Sequence, residues 1–287
     1  MNAERKKAAT VSRWVLIGVC LLATGCASES APARHAGTVR DLVVTASPAV
    51  ADAMIQLGRA FEATQSDVRV RTSVDLSLDL RRTVSAMENR GRSFIGSGPI
   101  HFVAPGGDEL ITRMEQKYYL LPEAKVLYAT EQLVLVAPES LSEAPESFEA
   151  LARMESIRIA VADRSTRLGI ETDRVLTALG LQGKQIDVAN DTAGVLDHIL
   201  SGQADVGIVF GQEAVKLQER VRVLAAAPTQ LYRPIPHSIA MERYCPDRAL
   251  CEAFLQFATS PDGQAVLKRL GYGPGKPPAA PVHLYHP

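Results

Sequence analysis

Asp41-Leu-Val-Val-Thr-Ala-Ser-Pro-Ala-Val50 is the stretch that decides how the chain is read. Leu42, Val43 and Val44 form an unbroken apolar run, the pattern of a short strand covered on both faces. Ser47 follows at the C-terminal edge of that strand, and Pro48 comes next. Ser at an N-cap with Pro at the first helical position predicts a helix start. Ala53, Met54, Leu57, Ala60 and Phe61 then recur at three-and-four spacing and give the helix one apolar face. A strand that delivers a hydroxyl and backbone N–H groups to a helix terminus makes a socket sized for a small anion. The same residues also allow a plainer reading, in which Ser47 is only a helix cap.

Working outward, strand and helix patterns alternate. Val68–Val74 reads as a strand, 77–87 as a helix, Pro99–Ala104 as a short strand and Asp108–Tyr118 as a helix. Leu133–Pro138 is a strongly apolar strand. Further strands are predicted at Ile157–Val161, Gln185–Val188, Val206–Phe210, Val221–Leu224 and His237–Met241, with helical patterns between them. Two helices, Pro246–Thr259 and Pro261–Leu270, close the body. Such alternation predicts an α/β protein with mostly parallel sheets flanked by helices. Ligands of such sheets bind beyond the carboxyl ends of the strands.

The termini read differently. Arg5, Lys6, Lys7 and Arg13 make a basic start, and Trp14 to Ala23 is an apolar core too short for a comfortable bilayer span. Leu22-Ala-Thr-Gly-Cys26 resembles a bacterial lipobox, in which the Cys is lipidated and becomes the first mature residue. Residues 1–26 are thus expected to be a lipoprotein signal and 27–40 a flexible tether. Residues 274–287, rich in Pro, are expected to trail as a loose tail. About 260 residues remain after the signal, enough for two modest domains.

The net charge of −1 comes from mixed acids and bases, and the absence of a basic stripe argues against nucleic acid. Cys245 and Cys251 are the two cysteines of the body. An oxidising compartment permits a disulfide between them. A metal pair is the rival, but no nearby His or third Cys supports it. The chain has no nucleophile elbow, Walker loop, His-Glu-x-x-His or dinucleotide glycine fingerprint. An exported serine hydrolase built on Ser47 would need His101 or His237 within hydrogen-bond reach.

Several segments together resemble the periplasmic molybdate-binding proteins, the solute receptors of molybdate ABC importers. Val43-Val-Thr-Ala-Ser-Pro-Ala-Val is similar to the family's opening strand and serine turn. Val70-Arg-Thr-Ser-Val-Asp-Leu-Ser77 is similar to its second strand and serine loop. Glu131-Gln-Leu-Val-Leu-Val-Ala-Pro138 is similar to the crossover into the second domain. Asp191-Thr-Ala-Gly-Val-Leu and Ala204-Asp-Val-Gly-Ile-Val-Phe-Gly211 look like the later binding segments, and 254–273 like the closing helices.

The resemblance implies a two-lobed type-II periplasmic-binding-protein fold with a two-strand hinge. Lobe I would be 41–132 plus 233–273, and lobe II 133–232. An oxyanion, molybdate or tungstate, would sit between the lobes, held by hydroxyls and backbone N–H groups. Carried over position by position, the ligand residues fall on Ser47, Ser77, Leu168, Thr192 and Phe210. The resemblance also implies a monomeric non-enzyme without cofactor. It would be anchored by lipid on the membrane face toward the periplasm or exterior, and would deliver its ion to an ABC permease and its ATPase.

The sequence departs from the family at four places. Phe210 stands where the family has a tyrosine hydroxyl, and Asp75-Leu-Ser-Leu-Asp79 replaces a serine cluster. Arg167-Leu-Gly169 shortens the approach to the third site, and Ile100-His-Phe-Val-Ala replaces an acid and a serine. Arg164 and Arg167 are added cations that could contact an oxyanion in a bidentate fork. These departures keep a second reading open, a binding protein or sensor for another anion or a small polar solute.

Overall fold

A computed structural model describes residues 39–75, 100–243 and 245–276. Ser77, Cys26, the signal, residues 27–38 of the expected tether and the expected 77–87 helix lie outside the described residues; Arg40, expected to end the tether, is instead the first residue of a strand, because it pairs with Val68. No helix among the described residues is long and apolar enough to cross a membrane.

The strands form two sheets. The first holds β1 (Arg40–Ala46), β2 (Val68–Val74), β3 (Phe102–Ala104), β4 (Leu120–Glu131), β10 (Pro236–Glu242) and β11 (Tyr272–Lys276), in the order β11-β4-β10-β3-β1-β2. The second holds β5 (Leu133–Pro138), β6 (Arg158–Ala162), β7 (Gln185–Ala189), β8 (Val206–Phe210) and β9 (Val221–Ala226), in the order β7-β6-β8-β5-β9. We call the body around the first sheet lobe I and that around the second lobe II. The expected parallel pairing is found in β1 with β2 and β3, and in β6 with β7 and β8. The strands that enter and leave the crossovers run antiparallel, β10 on β3 and β4, β11 on β4, and β5 on β8 and β9. Each sheet is therefore mixed.

Each sheet has its own core. Leu42, Val44 and Ala46 alternate onto one face of lobe I and bury fully against Met54, Leu57 and Phe61 of α1 (Ala51–Glu62). Phe254 of α7 (Arg248–Thr259) meets Phe61 edge to face at 5.2 Å and Phe102 at 5.4 Å. The opposite face packs Val103 and Ala240 on Ile111 and Met114 of α2 (Asp108–Gln116). In lobe II, the wholly apolar Leu133–Ala137 run lies at the centre of a core shared with Leu168, Val175, Val195 and Ile199. Those last residues come from α4 (Arg167–Ala178) and α5 (Thr192–Leu200). Two further helices flank lobe II, α3 (Phe148–Arg153) and α6 (Gly211–Lys216), and α8 (Pro261–Arg269) precedes β11.

Two segments differ from their sequence reading. Leu120–Glu131 is a strand of 12 residues, although Pro122, Glu123 and Lys125 give it the composition of a loop. Its pattern survives in Ala124, Val126 and Tyr128, which alternate into the core. The segment Pro274–Lys276 is expected at the start of the loose tail. It belongs instead to β11, an edge strand on β4, with Gly273 opposite Thr130 and Lys276 opposite Leu127. Pro274 fits there because an edge strand does not require every N–H. The sulfurs of Cys245 and Cys251 are bonded, 2.04 Å apart, so the metal-pair alternative does not describe them.

Candidate functional site

The parallel strands of each lobe end at one edge, and helices start there. In lobe I, β1 ends at Ala46 and β2 at Val74, directly opposite each other, and Asp75 N–H donates to the Ala46 carbonyl at 2.9 Å. Asp75, the last described residue here, thus lies beside the residue that precedes Ser47. Ser47 itself is fully buried. Its N–H donates to the Ala104 carbonyl at 3.0 Å, and its carbonyl accepts from Val50 N–H at 3.2 Å.

The expected cap role of Ser47 is corrected here. The helix α1 starts at Ala51 with Val50 at the N-cap and no side-chain cap bond. Residues 48–50 form a turn, which moves the helix start beyond the reach of the serine. The Ser47 hydroxyl is therefore buried with no hydrogen-bond partner among the described residues, and the same holds for Thr45 on the same strand. Buried polar groups without a partner are rare, and they concentrate where a ligand or ordered water completes them.

Lobe II presents a different kind of donor. At the end of β6, Thr166 caps α4 by accepting from Gly169 N–H at 2.9 Å. At the end of β7, Asp191 caps α5 by accepting from Gly194 N–H at 2.9 Å. Each cap satisfies one backbone donor and leaves earlier N–H groups of the first turn without an intrahelical acceptor. Leu168 and Thr192 stand at those positions. The Leu168 side chain is buried in the lobe II core, so only its backbone can serve an ion. A Cβ on Gly169 would lie 2.0 Å from the Asp163 carbonyl oxygen, so glycine is required for α4 to approach the end of β6. Phe210 ends β8 and is half-buried, with no side-chain hydrogen bond to offer.

The added arginines are otherwise engaged. Arg164 donates to the Asp173 carboxylate. Arg167 Nε lies 3.5 Å from Glu171, which also pairs with Arg174 at 3.2 Å. Glu171 is 2% exposed and accepts from the Arg233 N–H at 2.8 Å, in the return crossover. The two histidines named for a hydrolase are engaged elsewhere as well. Val43 N–H donates to His101 Nδ1 at 3.0 Å, and His237 Nε2 lies 3.0 Å from Glu131. Burial holds His101 below the usual histidine range, against a smaller opposing pull from Asp247 and Asp41. Neither ring bonds Ser47, so the observation a hydrolase reading needs is missing among the described residues.

The two strand edges converge on one turn. Tyr272 Oη donates to the Ala49 carbonyl at 3.4 Å, within the turn that follows Ser47. The preceding residue, Gly271 (φ +85°), abuts Gly211 so closely that a Cβ on Gly211 would lie 2.2 Å from the Gly271 carbonyl oxygen. Gly211 follows Phe210, so the Ser47 turn and the end of β8 both meet Gly271–Tyr272. Glu131 and Gln212 also lie here. No local pattern singles them out, because each is an isolated polar residue beside an apolar strand.

Two mixed α/β lobes joined by paired crossovers, with helix starts at the strand ends, have the type-II periplasmic-binding-protein fold. The chain belongs to the bacterial extracellular solute-binding proteins, whose sequence profile matches residues 42–273. Its similarity to the molybdate-binding proteins extends over nearly the whole chain. The molybdate-binding protein of Mycobacterium tuberculosis H37Rv is 24% identical over 274 residues, covering 91% of this chain and 98% of the relative. That of Escherichia coli K12 is 25% identical over 180 residues, covering 57% and 69%. Among solved structures, the substrate-binding domain of a putative molybdenum ABC transporter from Clostridium difficile superimposes with a TM-score of 0.67. It is 20% identical and covers 82% of this chain and 98% of its own. At that identity the superposition establishes the fold.

Proposed function

We propose that this protein is a lipid-anchored extracytoplasmic receptor for a tetrahedral oxyanion, molybdate or tungstate, which it hands to an ABC permease powered by its ATPase. The observation that carries the reading is the Ser47 hydroxyl, buried and without a partner among the described residues at the edge where β1, β2 and β3 end. It supplies one directed donor from lobe I. The first turns of α4 and α5 supply backbone N–H groups and positive helix ends from lobe II. Such a set binds a dianion without a counter-charge, because hydrogen bonds to an ion strengthen in a dry cleft. This agrees with the engagement of Arg164 and Arg167 in ion pairs along α4. Ser77 is proposed as the second hydroxyl. Cys26 is proposed as the lipidation site, and the receptor as a monomer.

Phe210 favours one alternative, a different anion or small polar solute, because that position lacks the hydroxyl that the resemblance leads one to expect. Thermal unfolding with molybdate, tungstate, sulfate and phosphate side by side separates the readings. A ligand held only by the folded state, at a hundred times its Kd, stabilises by about 2.7 kcal/mol. In a body of this size that raises Tm by roughly 5–10 °C. A rise with molybdate and tungstate alone supports the proposal, and no rise with either rejects it. Replacing Ser47 and Ser77 together by Ala should abolish the rise; an undiminished rise rejects the site.

A further inference from the structure

Glu131 is the last residue of β4, next to the crossover into lobe II, and its side chain is 12% exposed. Its two carboxylate oxygens reach in opposite directions. Oε1 lies 3.0 Å from His237 Nε2 in lobe I, and Oε2 accepts from Gln212 Nε2 in lobe II at 2.6 Å. The main chain of Glu131 is held as well. Its N–H donates to the Ile235 carbonyl at 2.9 Å, and its carbonyl accepts from Tyr232 Oη at 3.4 Å. Both strands of the crossover are thereby fixed to this one residue.

The two arms of the carboxylate lead to the two halves of the proposed site. His237 packs edge to face on Tyr272 at 5.7 Å, and Tyr272 Oη bonds Ala49 beside Ser47. Gln212 follows Phe210 and Gly211 at the end of β8. Its other amide atom, Oε1, is buried without a partner among the described residues, so the amide bonds only Glu131 there. We propose that Glu131 is the positioning residue of capture. Its carboxylate bridges the lobes and sets the register in which the Ser47 turn and the end of β8 face one ligand. The inference deepens the receptor reading and rests on it for the identity of the ligand, but not for the bridge.

A carboxylate suits this place because it offers an acceptor to each lobe, whereas an amide offers one acceptor and one donor. The titratable groups around it are His237 on β10, Tyr128 on β4, Tyr232 in the return crossover and Tyr272 on β11. Asp108 also acts on Tyr128, Glu171 on Tyr232, and Asp52 and Glu213 on Tyr272. Burial first, with Glu131's charge adding to it, pushes all three phenols up and keeps them protonated.

The test exchanges the two partners in the whole chain, with molybdate as the calorimetric probe. Gln212→Glu sets two carboxylates face to face, and they cannot both stay ionised in contact. Its Kd should rise by about tenfold or more at pH 8 and recover toward wild type at pH 5.5. The double exchange E131Q/Q212E restores one donor and one acceptor across the lobes, with an amide oxygen still available to His237. It should bind near the wild-type level at pH 8. A Q212E variant that binds like wild type at pH 8 overturns the proposal, and so does a loss that neither acid nor the double exchange repairs. If wild type binds no molybdate, the receptor reading falls alone, and small-angle scattering of the ligand-free chain decides the bridge. Q212E should then be more extended at pH 8 than at pH 5.5 while wild type is not, and an unchanged radius overturns it. Should Q212E fail to fold, Gln212→Leu takes its place in both measurements. Weakened binding or a larger radius supports the bridge, and wild-type values for both reject it.

Discussion

In the proposed site, lobe I and lobe II offer an oxyanion opposite chemistry. Lobe I would bring a side chain, the Ser47 hydroxyl, which has no partner among the described residues because α1 starts at Ala51 and does not use it as a cap. Lobe II brings backbone, because the capping side chains Thr166 and Asp191 are already spent on Gly169 and Gly194. A side-chain donor is lost with one substitution. A backbone donor survives any substitution that leaves the helix start in place. The two halves of the site should therefore fail in different ways: lobe I by losing binding without losing fold, and lobe II by losing fold before binding.

The largest effect is expected at Gly169. An Ala there would drive its Cβ to 2.0 Å from the Asp163 carbonyl oxygen and 2.5 Å from that of Ala162. Both obstacles are backbone, so α4 must move. We expect a loss of about 3 kcal/mol or more, the upper end for overpacking, seen as a fall in Tm and loss of molybdate stabilisation together. Next comes Leu168→Ala, which empties a core position that is 2% exposed. It should cost about 2–5 kcal/mol in thermal unfolding. The molybdate-induced rise in Tm should persist, because the Leu168 N–H remains. A lost rise would mean that lobe II acts through side chains and would break the contrast.

Ser47→Ala is the counterpart. The hydroxyl bonds nothing among the described residues, so Tm without ligand should stay near wild type. Molybdate affinity should fall about ten- to a hundredfold, the worth of one hydrogen bond to a charged group at about 1.5–3 kcal/mol. A drop in Tm with affinity intact would assign Ser47 to the core.

The smallest effect concerns His101, behind the lobe I sheet edge. Burial lowers its folded pKa below the unfolded value. The unfolded chain then binds more protons in the acidic range, so this contribution is complete above the ordinary histidine range and is lost as pH falls. His101→Asn keeps an acceptor for Val43 N–H and cannot charge. The Tm of this variant should decline less than that of wild type between pH 7 and 5, as scanning calorimetry would show; equal declines would exclude His101 as a contributor.

Much of the frame was legible in the chain. Val68–Val74, Leu133–Pro138 and Val206–Phe210 are strands with the bounds their patterns predict. Buried strands advertise themselves because each apolar residue must find cover, whichever sheet receives it. The strand β4 hid behind Pro122 and two charges, and β11 behind Gly and Pro, since both owe their pairing to partners distant in sequence. The proposed site was legible only as a list. Residues 47, 168, 192 and 210 could be named from their segments, but not that Ser47 is released from capping or that Arg164 is held by Asp173.

What the sequence determined by itself is the order of elements and the apolar faces, because periodicity and turn chemistry act over a few residues. The joining of Glu131 to Gln212 and His237 across the crossover, 81 and 106 positions along the chain, arises from the packed fold. No local pattern encodes such a junction. It exists only after both sheets have formed and the second crossover has brought the chain back beside the first.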